Sequence, residues 1–483
     1  MSITITRAGD LDRAVVLAVA DGADLTLAPA LLDDVATRRA DVETALARGG
    51  PVYGVTTGLG AASTVILTPA EQASHQHRLL LARAVGGPPW LPRADVRALV
   101  AVRLRTFLEG DAGVTPALCQ ALVDLLAADV VPAVPATGAG SAGEIIPLAH
   151  AFQVLAGIGS VFLPDGGVVA AADALAAAGL HPWTPAAKEG IALLEGVPGS
   201  TALAVRRGAQ GRRLAQRQLE VGALSAVAVA ASGDPYRDSS ARGDQVLADV
   251  LRRVRDLTVV PHPGAGALQA PVSMRVLGPV AANLERRLTQ LDEAADRALG
   301  GVSDSPAYDD QAFGGTTGFY GLDLASAFDA LTAAVVHCAE VSCARLHRLL
   351  DDRVTGLPRQ LSANPGAEAG LVVVHKRAVG VLHGVRRTVI PSPVGLVETS
   401  LGQEDVQSFS WEAAEQIRVA LAGLAEVLAC ELLAGRHALR LSGRTVPAGL
   451  RALVEAVDAV VPPIDGDRPF GVDVEALRRL LTS

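Results

Sequence analysis

Apolar residues recur at helical spacing along most of the chain, and beyond about residue 200 they do so in runs long enough for extended helices. The pattern predicts amphipathic helices over 200–231, 277–300, 320–350, 370–387 and 410–435. Long helices joined in sequence build a bundle. The stretch 320–350 carries Ala, Val and Cys on more than one face, so it is expected to be buried on several sides. Nearer the N-terminus, proline marks helix starts. Ala28-Pro29-Ala30-Leu31-Leu32 opens a helix toward Arg48 that Gly49-Gly50-Pro51 ends, and Pro69-Ala70-Glu71 and Pro92-Arg93-Ala94 read as two more first turns. The β-branched runs at 3–6 and 24–27 read as short strands. Glycine and proline punctuation near Gly196 to Ser200 and near Gly356-Leu357-Pro358 supplies candidate boundaries. The expected division is an N-terminal domain over 1–198, a central helical bundle over 199–441 and a helical segment over 442–483.

Composition supports a large helical core. Half of the 483 residues are hydrophobic but only 3% are aromatic, so Ala, Leu and Val must fill the interior. Ala and Leu have high helix propensity, whereas a β-sandwich draws on aromatic and β-branched residues. A net charge of −9 with no basic stripe excludes a phosphate-backbone partner such as nucleic acid. Met1 to Thr6 lead into polar Arg7-Ala8-Gly9-Asp10 without a signal-like apolar stretch, and no run of about 18 apolar residues is read as a membrane span. A soluble cytoplasmic protein without a membrane partner is expected. Cys119, Cys338, Cys343 and Cys430 have neither disulfide-framework nor zinc spacing and read as buried thiols. The histidines offer no ligand set, so no metal is expected.

Four segments depart from plain helical patterning. Val52-Tyr53-Gly54-Val55-Thr56-Thr57-Gly58-Leu59-Gly60 is a glycine-rich loop presenting one tyrosine. Pro135 to His150 holds Gly138, Gly140 and Gly143 ahead of a helix start, a usual place for developing negative charge. Its G-x-G-x-x-G spacing is not read as a nucleotide loop, because Val131-Pro132-Ala133-Val134-Pro135 puts two prolines where a buried strand should run and Pro147 falls in the following helix. Lys188 to Val197 brings Glu195 to a helix end. Leu268-Gln269-Ala270-Pro271-Val272-Ser273-Met274-Arg275 is the fourth, with Gly402-Gln403-Glu404-Asp405 as a later polar companion.

In this order and at these separations the segments resemble the histidine and aromatic amino acid ammonia-lyase family, over about residues 11–441. The resemblance implies a mainly α ammonia-lyase (fumarase/aspartase-like) fold with a long central helical bundle, and a homotetramer with shared active sites. It implies that Tyr53 is a general acid/base and that Arg275 grips a substrate carboxylate, with Gln269, Phe319, Tyr320 and Glu404 also at the substrate. The departures are marked. The family's Ala-Ser-Gly tripeptide, which cyclises into the electrophile 4-methylideneimidazol-5-one, falls here on Ser141, Ala142 and Gly143. Alanine has no β-oxygen to lose as water. A family His falls on Arg83 and a family Asn on Glu195.

The expectation is therefore a lyase-fold enzyme with no cofactor, in which Tyr53, Arg83 and Glu195 carry an elimination, isomerisation or cyclisation on a small carboxylate or carbonyl-activated substrate of secondary metabolism. Arg83 and Arg275 are expected to favour the Tyr53 phenolate. Two alternatives stand beside it: an inactive homologue acting as a binding partner, with Arg83 and Glu195 paired across a collapsed cavity, and an ammonia-lyase with an atypical cofactor slipped onto Ser141.

Overall fold

The computed structural model describes residues 2–140, 142–163, 165–259, 269–309, 311–395 and 397–483. Helices dominate, and the long ones lie close to where the apolar spacing puts them: Pro198–Ala228, Leu277–Gly300, Leu322–Leu349, Val372–Val385 and Ser410–Ser442. The last outruns its expected end by seven residues because nothing breaks the chain before Gly443, whose φ is +61°. Pro29 and Pro69 do open helices, Pro29–Ala47 and Pro69–Ala82. The second also has a reciprocal cap: Glu71 N donates to Thr68 Oγ1 at 3.3 Å while Thr68 N donates to Glu71 Oε2 at 2.8 Å. Pro92 lies one residue earlier than expected, as the cap of Arg93–Leu108.

The two β-branched runs pair as parallel strands, Ser2–Ile5 against Asp24–Leu27. A second small sheet is antiparallel, in the order Val131–Pro132, Ser160–Phe162, Val168–Ala170. Its first strand is the proline-containing stretch: Pro132 fits because the strand is short and at the sheet's edge. Pro147 does not interrupt the helix Ile145–Phe152 but lies in its first turn, where its missing N–H costs no hydrogen bond.

The chain forms two compact units, and both are discontinuous in sequence. The first comprises Met1–Arg207, Leu291–Phe328 and Pro391–Glu415; the second comprises Gly208–Gln290, Asp329–Ile390 and Gln416–Ser483. This differs from the expected contiguous three-part division, because the helices Pro198–Ala228, Leu277–Gly300, Leu322–Leu349 and Ser410–Ser442 each contribute residues to both units. The first unit has Arg93–Leu108 as its central helix, buried at every position from Asp95 to Leu108. In the second, Arg345 Nε and Nη2 donate to Glu431 Oε1 and Oε2 at 2.6 and 2.9 Å, and both residues are wholly buried. The Ser225 and Ser342 hydroxyls donate to the same carboxylate at 2.7 and 2.5 Å.

No run of about 18 apolar residues is expected, and the helix Leu322–Leu349 is interrupted by Asp323, Asp329, Glu340 and Arg345. Among the described residues it alone is long and apolar enough to span a bilayer, with mean hydropathy 1.4 over its best window. Two thirds of that window, 67%, is buried within the protein, the behaviour of a core helix.

Candidate active site

The Tyr53 loop is held by its own backbone and by one buried side chain. Val55, Thr56 and Thr57 N–H groups all turn back onto the Val52 carbonyl. Gln76, only 2% exposed, donates from Nε2 to the Gly54 carbonyl at 2.9 Å and accepts from Ile191 N at 3.1 Å. It thereby ties the loop to the helix Glu189–Leu194, whose capping residue is Glu195. Gly54 has φ +65°, and a Cβ there would lie 2.2 Å from Ile191 Cδ1, so the close approach requires glycine. The Tyr53 hydroxyl accepts the Gly60 N–H at 2.9 Å.

The second glycine-rich loop is pinned by residues from 404–412. Ala139 N donates to Glu412 Oε1 at 3.0 Å, Trp411 Nε1 donates to the Ala136 carbonyl at 3.0 Å, and Ala142 N donates to Glu404 Oε2 at 2.8 Å. Glu404 also accepts from Ser400 Oγ at 2.9 Å and Thr399 Oγ1 at 3.2 Å. Immediately beyond the loop, buried Glu144 accepts the Gly199 and Ser200 N–H groups at 2.7 and 2.6 Å and so caps the helix Pro198–Ala228.

These segments enclose a cavity of about 490 Å³. Tyr53, Ala142, Gly143, Glu195, Phe319, Tyr320 and Glu404 all line it, as do Gln403 and Asp405. Arg83, the residue after the helix Pro69–Ala82, acts electrostatically on Tyr53, Glu195 and Glu404 but is not part of the lining. Ser141 lies outside the described residues. Gln269 and Arg275 belong to the second unit, whereas the lining comes entirely from the first. Gln269 is exposed, and Arg275 has a buried Nε without a partner.

The electrostatics correct one expectation. Burial pushes the Tyr53 phenol above its ordinary range, and the Glu195 and Glu404 charges add to that; the Gly60 N–H and Arg83 pull the other way and are outweighed. Arg275 is not among the groups acting on it. Glu195 is pushed up to about 8, first by burial and then by Asp304, against the opposing pull of Lys188 and Arg103, with Glu404 raising it further. Burial also pulls Arg83 below its ordinary value.

Behind Glu195 lies a buried charged group that the sequence pattern does not reveal. Lys188 pairs with Asp304, both essentially inaccessible to solvent. Fully buried Arg103 donates from Nη2 to the Glu195 carbonyl, while its Nε and Nη1 have no partner among the described residues. Burial lowers Arg103 to about 10 and raises Asp111 to about 6 and Glu144 to about 7. The only cue in the sequence is a set of arginines within an otherwise apolar helix.

Arg83 and Glu195 do not form an ion pair: no carboxylate among the described residues lies within 4.0 Å of the Arg83 guanidinium. The cavity between the loops is open rather than collapsed.

The aromatic amino acid lyase family model matches residues 11–459. A histidine ammonia-lyase from Symbiobacterium thermophilum is 32% identical over 486 residues, covering 97% of this chain and 94% of that protein. Tyrosine aminomutase from Streptomyces globisporus superimposes with a TM-score of 0.93 at 26% identity, covering 99% of this chain and 97% of that one. The structure of the ergothioneine-degrading enzyme ergothionase from Treponema denticola, in complex with desmethyl-ergothioneine sulfonic acid, superimposes with a TM-score of 0.93 at 21% identity, covering 100% and 98%. The mainly α ammonia-lyase fold is the observed one. The likeness to histidine ammonia-lyase over nearly the whole chain overturns the expectation of a lyase-fold enzyme of different chemistry.

Proposed function

Because the chain belongs to the aromatic amino acid lyase family, we propose that it releases an amine from a small α-amino-acid-type zwitterion, with Tyr53 moving the proton at the β carbon. The observation that carries this reading is the cavity itself: one acid/base hydroxyl faces two carboxylates across a space of about 490 Å³. In the elimination, the β C–H bond breaks and its proton goes to the Tyr53 oxygen. The electron pair becomes the carbon–carbon double bond, and the carbon–nitrogen bond breaks with its pair leaving on nitrogen. Tyr53 must first be a phenolate, and burial, the largest influence on it, opposes that. A cationic amine in the cavity adds to the pull of the Gly60 N–H and Arg83 toward the phenolate. Phe319 and Tyr320 supply apolar walls.

The electrophile implied by the family does not fit the residues present. Ala142, at the centre of the tripeptide, has a methyl group where the cyclisation needs a hydroxyl, and its N–H is an ordinary donor to Glu404. No step above is routed through that group. Arg275 and Gln269 are proposed to serve the cavity of another copy in a homotetramer, with the Arg275 guanidinium taking the substrate carboxylate. The proposed setting is the cytoplasm.

The test is ultraviolet absorbance of the conjugated acid formed from L-histidine, L-phenylalanine or L-tyrosine, run alongside light scattering. Growth of that band by a tetramer supports the reading. A stable monomer without turnover sinks both the mechanism and the assembly.

A further inference from the structure

Glu195 stands where the family resemblance places a neutral asparagine. Three observations set it apart from other carboxylates in the protein. Its carboxylate lines the cavity, and among the described residues it accepts no hydrogen bond and meets no cation within 4.0 Å. By contrast, Glu144, Glu189, Asp304, Glu404 and Glu431 are each held by donors from the protein. Its backbone is also fixed, since Arg103 clamps the Glu195 carbonyl and the residue caps Glu189–Leu194. A half-buried carboxyl group on a fixed backbone, lining the cavity without a protein partner, points to a partner in the cavity.

We infer that Glu195 is a substrate-contacting residue that exchanges its proton for a cationic amine: an entering ammonium group takes the proton's place against the ionised carboxylate. The inference deepens the proposed function, from which it takes the amine. The groups facing Glu195 are Asp304, Lys188, Arg103 and Glu404, with Tyr53 and Arg83 across the cavity. Asp304 is engaged by Lys188, and Glu404 by Ala142, Ser400 and Thr399. The carboxylic form is favoured because burial pushes this group up to about 8, so at neutral pH the site binds cations only at the cost of a proton. Tyr53, Phe319 and Tyr320 line the same space and offer aromatic surface to the cation.

The probe is tetramethylammonium, whose fixed charge neither brings nor takes a proton, so any proton released comes from the protein. Calorimetric titration of the full chain at about pH 7, in two buffers of different ionisation heat, should report release of about one proton per cation. Affinity should rise about tenfold per pH unit between about pH 6 and pH 7.5, the linkage expected for competition with one proton. Glu195→Gln should lose both the release and the pH dependence. Binding without proton release, release unchanged in Glu195→Gln, or no binding up to about pH 9 would overturn the inference. Should Glu195→Gln not fold, the wild-type pH series decides alone, because release that persists well above about pH 9 cannot come from Glu195. L-histidine, L-phenylalanine and L-tyrosine run in parallel keep the two claims separate. If tetramethylammonium binds with release and none of the amino acids binds, the substrate reading fails while this inference stands.

Discussion

A guanidinium buried in each unit, Arg345 in the second and Arg103 in the first, meets its surroundings in opposite ways. In the second unit Glu431 accepts from Arg345 twice and from Ser225 and Ser342, so both carboxylate oxygens are satisfied. In the first unit Arg103 is equally buried but uses its side chain on a backbone carbonyl, while the Glu195 carboxylate faces a cavity. Removing a charge from water is unfavourable in both places. Where protein groups offset it, the result is a structural staple; where they do not, the group waits for something from outside. Buried charge alone therefore does not mark a functional site, but buried charge that the fold leaves unpaired beside a cavity does.

The contrast makes graded predictions. Tyr53→Phe should lower kcat by about 10²–10⁴-fold, the scale for a general acid/base, and leave Tm unchanged because the hydroxyl only accepts a loop N–H. A loss in Tm of comparable weight would place Tyr53 with the staples. Glu431→Leu should cost about 3–5 kcal/mol in chemical denaturation, since it strands the Arg345 charge, and adding Arg345→Met should recover much of it. A cost below about 1 kcal/mol would show that the second cluster is not a staple. Gln76→Leu should cost about 1–3 kcal/mol by leaving the Gly54 carbonyl and Ile191 N–H without partners. It should also lower kcat/KM by loosening the Tyr53 loop from Glu195.

The smallest effect is the most diagnostic. Glu195 is raised in the folded protein from 4.5 to about 8, so the folded state binds the proton more tightly than the unfolded chain. That contribution is fully present below about pH 4.5 and is lost as pH rises toward about 8. Glu195→Gln should remove this decline, so at about pH 8 the variant should melt about 2–4 °C above wild type, with no advantage at about pH 4.5. A variant that melts lower at pH 8 would mean that Glu195 is paired after all.

How much of this was legible in the sequence depended on the range of the interaction. Helices set by local spacing were readable nearly to their ends: Leu277–Gly300 coincides with the expected range, and Pro29–Ala47 follows from its first-turn proline and the glycines after it. The helix Gln245–Thr258 was not singled out, although Asp244 caps it through Leu247 N at 3.1 Å; the cap was the available signal. The motif residues Tyr53, Glu195, Phe319, Tyr320 and Glu404 do meet at one cavity. The direction in which their environment moves Tyr53 was not readable, because burial outweighs the single arginine in reach. Nor was the clamp from Arg103 onto Glu195, which joins residues 92 positions apart.

The central claim is that the first unit's cavity releases an amine through Tyr53. It is tested most directly by measuring amine release from L-histidine, L-phenylalanine and L-tyrosine, each beside its N-trimethyl betaine, with wild type and Tyr53→Phe in parallel. The betaines matter because trimethylamine leaves without the activation that ammonia needs, so the pair reads the leaving group and the proton step separately. The account predicts stoichiometric amine and conjugated acid from at least one of these compounds, with the rate lowered by at least about 10²-fold in Tyr53→Phe. No amine from any of the six, or an undiminished rate in Tyr53→Phe, would contradict it.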